Sequence, residues 1–271
     1  MGSRGDAETQ RENSASPPPP DLCGGERVDT SMTTTATPIL ALDVPDAAAA
    51  FALLERVGPD ADFVKVGLQL FTAEGPSVVR ALHERGCRVF LDLKLHDIPN
   101  TVAHAVRSAA GLGVELLTVH ASGGAAMMRA ARAAAGEGGP ALLAVTVLTS
   151  LSAEETAEAW GRDAVSAEAE VERLARLAHA CGMDGVVASV HELAAIRGAL
   201  PRDFRVLTPG IRLAGDDAGD QSRIATPAEA VRLGADYLVI GRSVTAAPDP
   251  AAAMRAVLTE LGAPAPMTID Q

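Results

Sequence analysis

Arg88-Val89-Phe90-Leu91-Asp92-Leu93-Lys94-Leu95-His96-Asp97-Ile98-Pro99-Asn100-Thr101 opens as a buried strand and ends as something else. Val89, Phe90, Leu91 and Leu93 form an apolar run with good β propensity. Asp92 and Lys94, two residues apart, project to the same side of such a strand. Asp97 follows three residues later, and Pro99 prevents the segment from continuing as a central ladder member. Two carboxylates and an ammonium therefore gather at the carboxyl end of one strand. Burying charge is costly unless partners are at hand, and this motif carries its own. Read alone, it fits either a self-neutralising salt-bridge cap on a sheet or a chemical site.

Outward from this strand the chain alternates without interruption. Apolar strands are predicted at 39–43, 62–66, 88–94, 116–120, 141–147, 185–188, 205–208 and 237–240. Helices are predicted over 46–57, 77–85, 101–112, 124–135, 167–180, 191–198, 226–233 and 250–261. A loop or extra helix containing Trp160 precedes the fifth of these. Eight short strands, each followed by a helix, are the pattern of a single-domain α/β protein, a parallel (β/α)8 TIM barrel. An open doubly wound sheet is the alternative, but eight sequential units fit closure better. The plentiful Ala and Gly suit close packing of helices on a barrel.

The ends have another character. Residues 1–37 are rich in Ser, Thr, Pro, Gly and charge, include Pro17-Pro18-Pro19-Pro20, and lack apolar periodicity. They read as a disordered N-terminal extension, with Met32 as a second possible start. Residues 38–262 form the barrel domain, and 263–271 a C-terminal tail.

With 271 residues and 48% hydrophobic content, the chain has material for one large core. A net charge of −12 argues against non-specific binding to nucleic acid or to an anionic membrane. An anionic ligand would need a local positive focus inside a cleft. Cys23, Cys87 and Cys181 have no metal or redox spacing, and Cys87 and Cys181 read as small buried apolar residues. No apolar run approaches the ~20 residues that span a bilayer. No signal peptide is visible, which points to the cytoplasm.

In such barrels function collects at the carboxyl ends of the strands. Asp43 ends the first strand, Lys65 falls in the second, and Asp92 and Lys94 close the third. Two acids and two bases from adjacent strands can alternate in space. Such an array favours the charged form of each lysine, the state that a proton donor needs. A second focus follows the last two strands, in Thr208-Pro209-Gly210-Ile211-Arg212 and Gly241-Arg242-Ser243. Loops after strands seven and eight commonly bind phosphate, and Arg212 or Arg242 can clamp a dianion. Gly210 and Gly241 permit close backbone approach, and Gln221 could reach over the ligand. Thr149 could hydrogen-bond a polar ligand edge or serve only as a turn hydroxyl. Neither His96 nor His120 is assigned to catalysis.

These residues resemble the orotidine 5′-phosphate decarboxylase family. The stretch from Asp92 to Thr101 looks like that family's signature almost in full. The likeness continues through Ala41-Leu42-Asp43, Val64-Lys65-Val66-Gly67, Val119-His120-Ala121, Leu148-Thr149-Ser150, Thr208 to Arg212, Gln221 and Ile240 to Ser243. It covers about residues 38–262. The resemblance implies a cofactor-free, metal-free decarboxylase acting on orotidine 5′-phosphate, a homodimer with two sites at the shared interface. It implies Lys94 as proton donor to pyrimidine carbon six, Asp92 beside the departing carboxylate, and Lys65 and Asp43 on the ribose side. Asp97 and Thr101 would reach the neighbouring subunit's site, Thr149 would meet the pyrimidine edge, and Pro209, Arg212, Gln221, Gly241 and Arg242 would hold the 5′-phosphate.

Two rivals share parts of the pattern. Sugar-phosphate decarboxylases and synthases of this barrel type also carry Asp-x-Lys-x-x-Asp and add magnesium. They lack the Ile98-Pro99-Asn100-Thr101 continuation and the loop from Thr208 to Arg212. A non-catalytic phosphate-binding barrel would be free to lose Lys94 or Asp92, and both are present.

Overall fold

A computed structural model describes residues 36–213 and 224–262. Eight parallel strands close into a barrel in sequence order: β1 (Thr37–Ala41), β2 (Phe63–Gly67), β3 (Arg88–Leu95), β4 (Leu116–His120), β5 (Ala141–Val145), β6 (Gly185–Val187), β7 (Arg205–Ile211) and β8 (Tyr237–Ile240). Closure is made by β1 on β8, with Thr37 opposite Tyr237 and Leu40 opposite Ile240. The open doubly wound alternative is thereby excluded.

Alternation along each strand produces two apolar layers. Inward side chains, among them Ile39, Phe63, Phe90, Leu116, Leu143 and Leu207, fill the barrel. Outward ones, such as Val64, Val89, Leu91, Leu117, Leu142 and Val206, pack under the helices. At the amino ends of the strands the interior is closed by aromatic rings and arginines. Phe63 and Tyr237 meet edge to face, Arg88 lies 4.2 Å over the Phe63 ring, and Arg88 pairs with Glu115 at 2.6 Å. The opposite, carboxyl end is left open for a site.

Around the barrel run α1 (Ala47–Val57), α2 (Leu68–Glu74), α3 (Pro76–Glu84), α4 (Pro99–Ala110), α5 (Gly124–Ala135), α6 (Ala153–Ala159), α7 (Ala167–Ala180), α8 (Leu193–Ala199), α9 (Pro227–Arg232), α10 (Arg242–Thr245) and α11 (Pro250–Glu260). Their starts have local causes. Asp46, Ser166, Thr226 and Asp249 each cap a helix by accepting a backbone N–H of its first turn. Pro76, Pro99, Pro227 and Pro250 sit in the first turn, where the missing N–H costs nothing.

Three differences from the sequence reading bear on the site. The first strand ends at Ala41, so Asp43 lies just beyond it. The fifth ends at Val145, and just beyond it the Thr146 N–H and hydroxyl both donate to the Val187 carbonyl. The seventh extends to Ile211 through a bulge at Pro209-Gly210, where Pro has no N–H to give and Gly210 takes φ 78°. Cys181 is buried and Cys87 half-buried, while Cys23 lies outside the described residues. Among the described residues no helix is long and apolar enough to cross a membrane.

Candidate active site

The barrel mouth encloses a cavity of about 530 Å³. Its walls carry polar side chains from two groups of adjacent strands, β1 to β3 on one side and β7 and β8 on the other.

The first group forms a line of alternating charge. Lys65 Nζ donates to Asp43 Oδ1 at 2.7 Å and lies 3.8 Å from Asp92 Oδ2. Lys94 Nζ donates to the same Asp92 oxygen at 2.7 Å. Lys65 and Asp92 are each only 8% exposed, so each depends on its neighbours for solvation. Asp43, at the outer end, is open to water. The register of β2 on β3 builds this line, with Lys65 opposite Phe90 and Gly67 opposite Asp92. Gly67 leaves room for it, since a Cβ there would stand 3.0 Å from Lys65 Nζ and 3.1 Å from Asp43 Oδ1.

Lys94 has a backbone of its own kind. It is the sole non-glycine residue with positive φ among the described residues, at 49°. Between the pairings Leu91 with Leu117 and Leu95 with Val119, four steps of β3 span two steps of β4. The two extra residues form a bulge that carries Lys94, and bulges re-aim side chains beside sites. The regular alternation assumed from sequence therefore holds through Asp92 and ends there.

Asp97 is not joined to this line within its own chain. Its carboxylate is exposed and accepts the N–H of Ile98 at 2.6 Å. Thr101 is exposed in the first turn of α4, and neither residue lines the cavity. After Leu95 the chain leaves β3 and enters α4 at Pro99, with both residues exposed.

The second group comes from the ends of β7 and β8. Pro209, Gly210 and Arg212 line the cavity together with Gly241 and Arg242. Arg212 is buried, and its N–H bonds the Ala225 carbonyl, which pins the strand end to the segment before α9. Arg242 is exposed at the start of α10. The Thr149-Ser150 turn after β5 completes the wall. Gln221 lies outside the described residues.

Beside Lys94, the rings of His96 and His120 stack with centroids 5.1 Å apart. Burial pushes the His120 imidazole below its ordinary pKa; His96 and Lys94 act the same way, against the pull of Asp92. Among the described residues, no group of three or more His, Cys, Asp or Glu side chains is placed to hold a metal ion.

Sequence reasoning passed over Thr118. It is fully buried in β4, donates to Asp92 Oδ1 at 2.9 Å and accepts the Lys94 N–H at 2.9 Å. The available signal was its position: a lone hydroxyl in Leu116-Leu117-Thr118-Val119-His120, on the same side as inward-facing Leu116.

The family model described as "Orotidine 5'-phosphate decarboxylase / HUMPS family" matches residues 37–257. The curated orotidine 5′-phosphate decarboxylase of Moorella thermoacetica is 55% identical over 234 residues, covering 82% of this chain and 91% of that protein. That of Enterobacter sp. strain 638 is 50% identical, covering 85% and 94%. The crystal structure of orotidine 5′-phosphate decarboxylase from Lactobacillus acidophilus superposes with a TM-score of 0.75 at 36% identity, covering 84% of this chain and all of that one.

Proposed function

The chain belongs to the orotidine 5′-phosphate decarboxylase / HUMPS family, and on that premise we propose that its barrel mouth converts orotidine 5′-phosphate to uridine 5′-phosphate and carbon dioxide. This is a step of de novo pyrimidine synthesis, placed in the cytoplasm. The observation that carries the reading is the Asp43–Lys65–Asp92–Lys94 line, set in a cavity whose β7 and β8 wall holds two arginines. The similarity to decarboxylases over four-fifths of the chain favours this over the magnesium-dependent branch of the family.

The parts divide the chemistry. The bond from carbon six to the carboxylate breaks, its electron pair stays on carbon six, and carbon dioxide leaves. Lys94 Nζ stabilises the developing charge and gives it a proton, and solvent later restores that proton to the amine. Asp92 bonds Lys94 and faces the departing carboxylate. Lys65 and Asp43 hold the ribose. The Thr149 hydroxyl meets the pyrimidine edge. Arg212, Arg242 and Gln221, with the backbone at Pro209 and Gly241, hold the 5′-phosphate. Phosphate binding, remote from the broken bond, then contributes to transition-state stabilisation.

Asp97 and Thr101 serve the site of a partner subunit in a homodimer. Their exposure beside Ile98, an apolar side chain 66% exposed, supports an interface on this face. Lys94→Ala and Asp97→Ala homodimers should each be nearly inactive. On subunit exchange, one site of the mixed dimer collects both defects and the other neither. Mixing should restore up to about a quarter of wild-type activity, since half the dimers carry one intact site of two. Verified exchange that restores nothing would return Asp97 to its own chain.

The reading as a whole is tested by Lys94→Ala alone. Turnover should be lost while uridine 5′-phosphate still binds, because other loops build the phosphate site. A substantial residual rate would remove Lys94 from the donor role.

A further inference from the structure

We propose that Thr118 is a positioning residue for the reaction, holding the Lys94 backbone directly and its ammonium through Asp92. This rests on the assignment of Lys94 as proton donor.

The β3 bulge creates two needs. A non-glycine residue in the left-handed region costs roughly 1–2 kcal/mol, so Lys94 at φ 49° must be held there by its surroundings. A bulge also takes a backbone N–H out of the ladder, and an unpaired buried N–H is costly. One hydroxyl answers both. Thr118 Oγ1 accepts the Lys94 N–H at 2.9 Å and donates its own proton to Asp92 Oδ1 at 2.9 Å. The other Asp92 oxygen accepts from Lys94 Nζ at 2.7 Å. A closed circuit results, from Lys94 backbone through Thr118 and Asp92 to the Lys94 side chain.

Its geometry has two consequences. The threonine is 0% exposed, so water cannot readily take over its bonds. It is also absent from the cavity wall. Any effect on turnover must pass through Lys94 and Asp92. It should therefore appear in kcat, with little change in the affinity for a phosphorylated product.

The experiment compares Thr118→Val, Thr118→Ala and Thr118→Ser with wild type and Lys94→Ala. Readouts are kcat and KM for orotidine 5′-phosphate, the Kd of uridine 5′-phosphate, and melting temperature. Thr118→Val keeps the shape and removes the hydroxyl. It should lower kcat on the order of ten- to a hundredfold, the worth of a hydrogen bond to a charged group. Its product Kd should stay within about twofold of wild type, a scale well below the loss of any charged contact. Thr118→Ser should recover most of the rate. Wild-type kcat in Thr118→Val, equal losses in the valine and serine variants, or a matching loss of product affinity would overturn the proposal. Failure of both Thr118→Val and Thr118→Ala to fold would also overturn it, since the hydroxyl would then be a requirement of the barrel. A Lys94→Ala variant that keeps its activity is a separate outcome and sinks the parent assignment.

Discussion

Gly67→Ala tests the charge line without removing any of its members. Gly67 ends β2 and caps α2 at φ −93°, a backbone that alanine adopts freely. The new methyl carbon would stand 3.0 Å from Lys65 Nζ and 3.1 Å from Asp43 Oδ1. Ordinary contact begins near ~3.5 Å, so these two atoms must each retreat by about 0.5 Å. Both are ends of side chains, so the barrel should survive. Gly67 also precedes the first turn of α2, where alanine is a poorer cap, and the expected stability cost is below about 1 kcal/mol. The site is less tolerant. Lys65 Nζ is held 2.7 Å from Asp43 and 3.8 Å from Asp92, and it is buried. A 1 Å misplacement of a catalytic group costs about a hundredfold, so half of that predicts roughly tenfold in kcat/KM. The assay is steady-state decarboxylation, with circular dichroism and melting temperature to verify the fold. A folded Gly67→Ala enzyme with wild-type kcat/KM would refute the claim that Lys65 must hold its place between the two carboxylates.

Arg242→Ala should weaken binding of uridine 5′-phosphate far more than of uridine. A charge-assisted contact is worth roughly 1.5–3 kcal/mol, or ten- to a hundredfold and more, and titration calorimetry with both ligands reads the difference. Equal losses would place Arg242 away from the phosphate. Thr208 is fully buried and its hydroxyl has no hydrogen-bond partner among the described residues. Thr208→Val should therefore stabilise by about 1 kcal/mol, seen as a melting temperature some 2–4 °C higher; a lower one would mean that the hydroxyl is satisfied. His120 ties stability to pH. Its folded pKa lies below its unfolded value, so the unfolded chain binds more protons in the window between them. This contribution is complete above the ordinary histidine pKa of about 6.5 and is lost as pH falls toward the folded value. Denaturant melts in that window should show a shallower pH slope for His120→Gln than for wild type, and an equal slope would remove His120 as its source.

The alternation of strand and helix was legible because buried strands and amphipathic helices leave different periods in the sequence. Helix α2 was not, since Leu68–Glu74 follows Gly67 directly and Gly75 separates it from α3 with no polar break. Lys65 and Asp92 could be placed at one barrel mouth because strand parity and closure fix which side they face, and Asp43 and Lys94 because they stand at the carboxyl ends of neighbouring strands. What failed was the geometry after Asp92. Two extra residues in β3 are invisible until β4 is laid beside it, so the positive φ of Lys94 and the part played by Thr118 had no local signature. Asp97 shows the same limit. Its spacing suggests company with Lys94, but the turn toward Pro99 sends it to the surface.

Decarboxylation of orotidine 5′-phosphate through Lys94, with no metal, is the activity proposed for this barrel. Its most direct measurement follows the orotate-type ultraviolet absorbance after substrate is added to chelator-treated full-length protein. Absorbance should disappear catalytically, with one uridine 5′-phosphate and one carbon dioxide formed per substrate, and Lys94→Ala should leave it unchanged. Absorbance that persists with folded wild-type protein, or falls only when magnesium is returned, would contradict it.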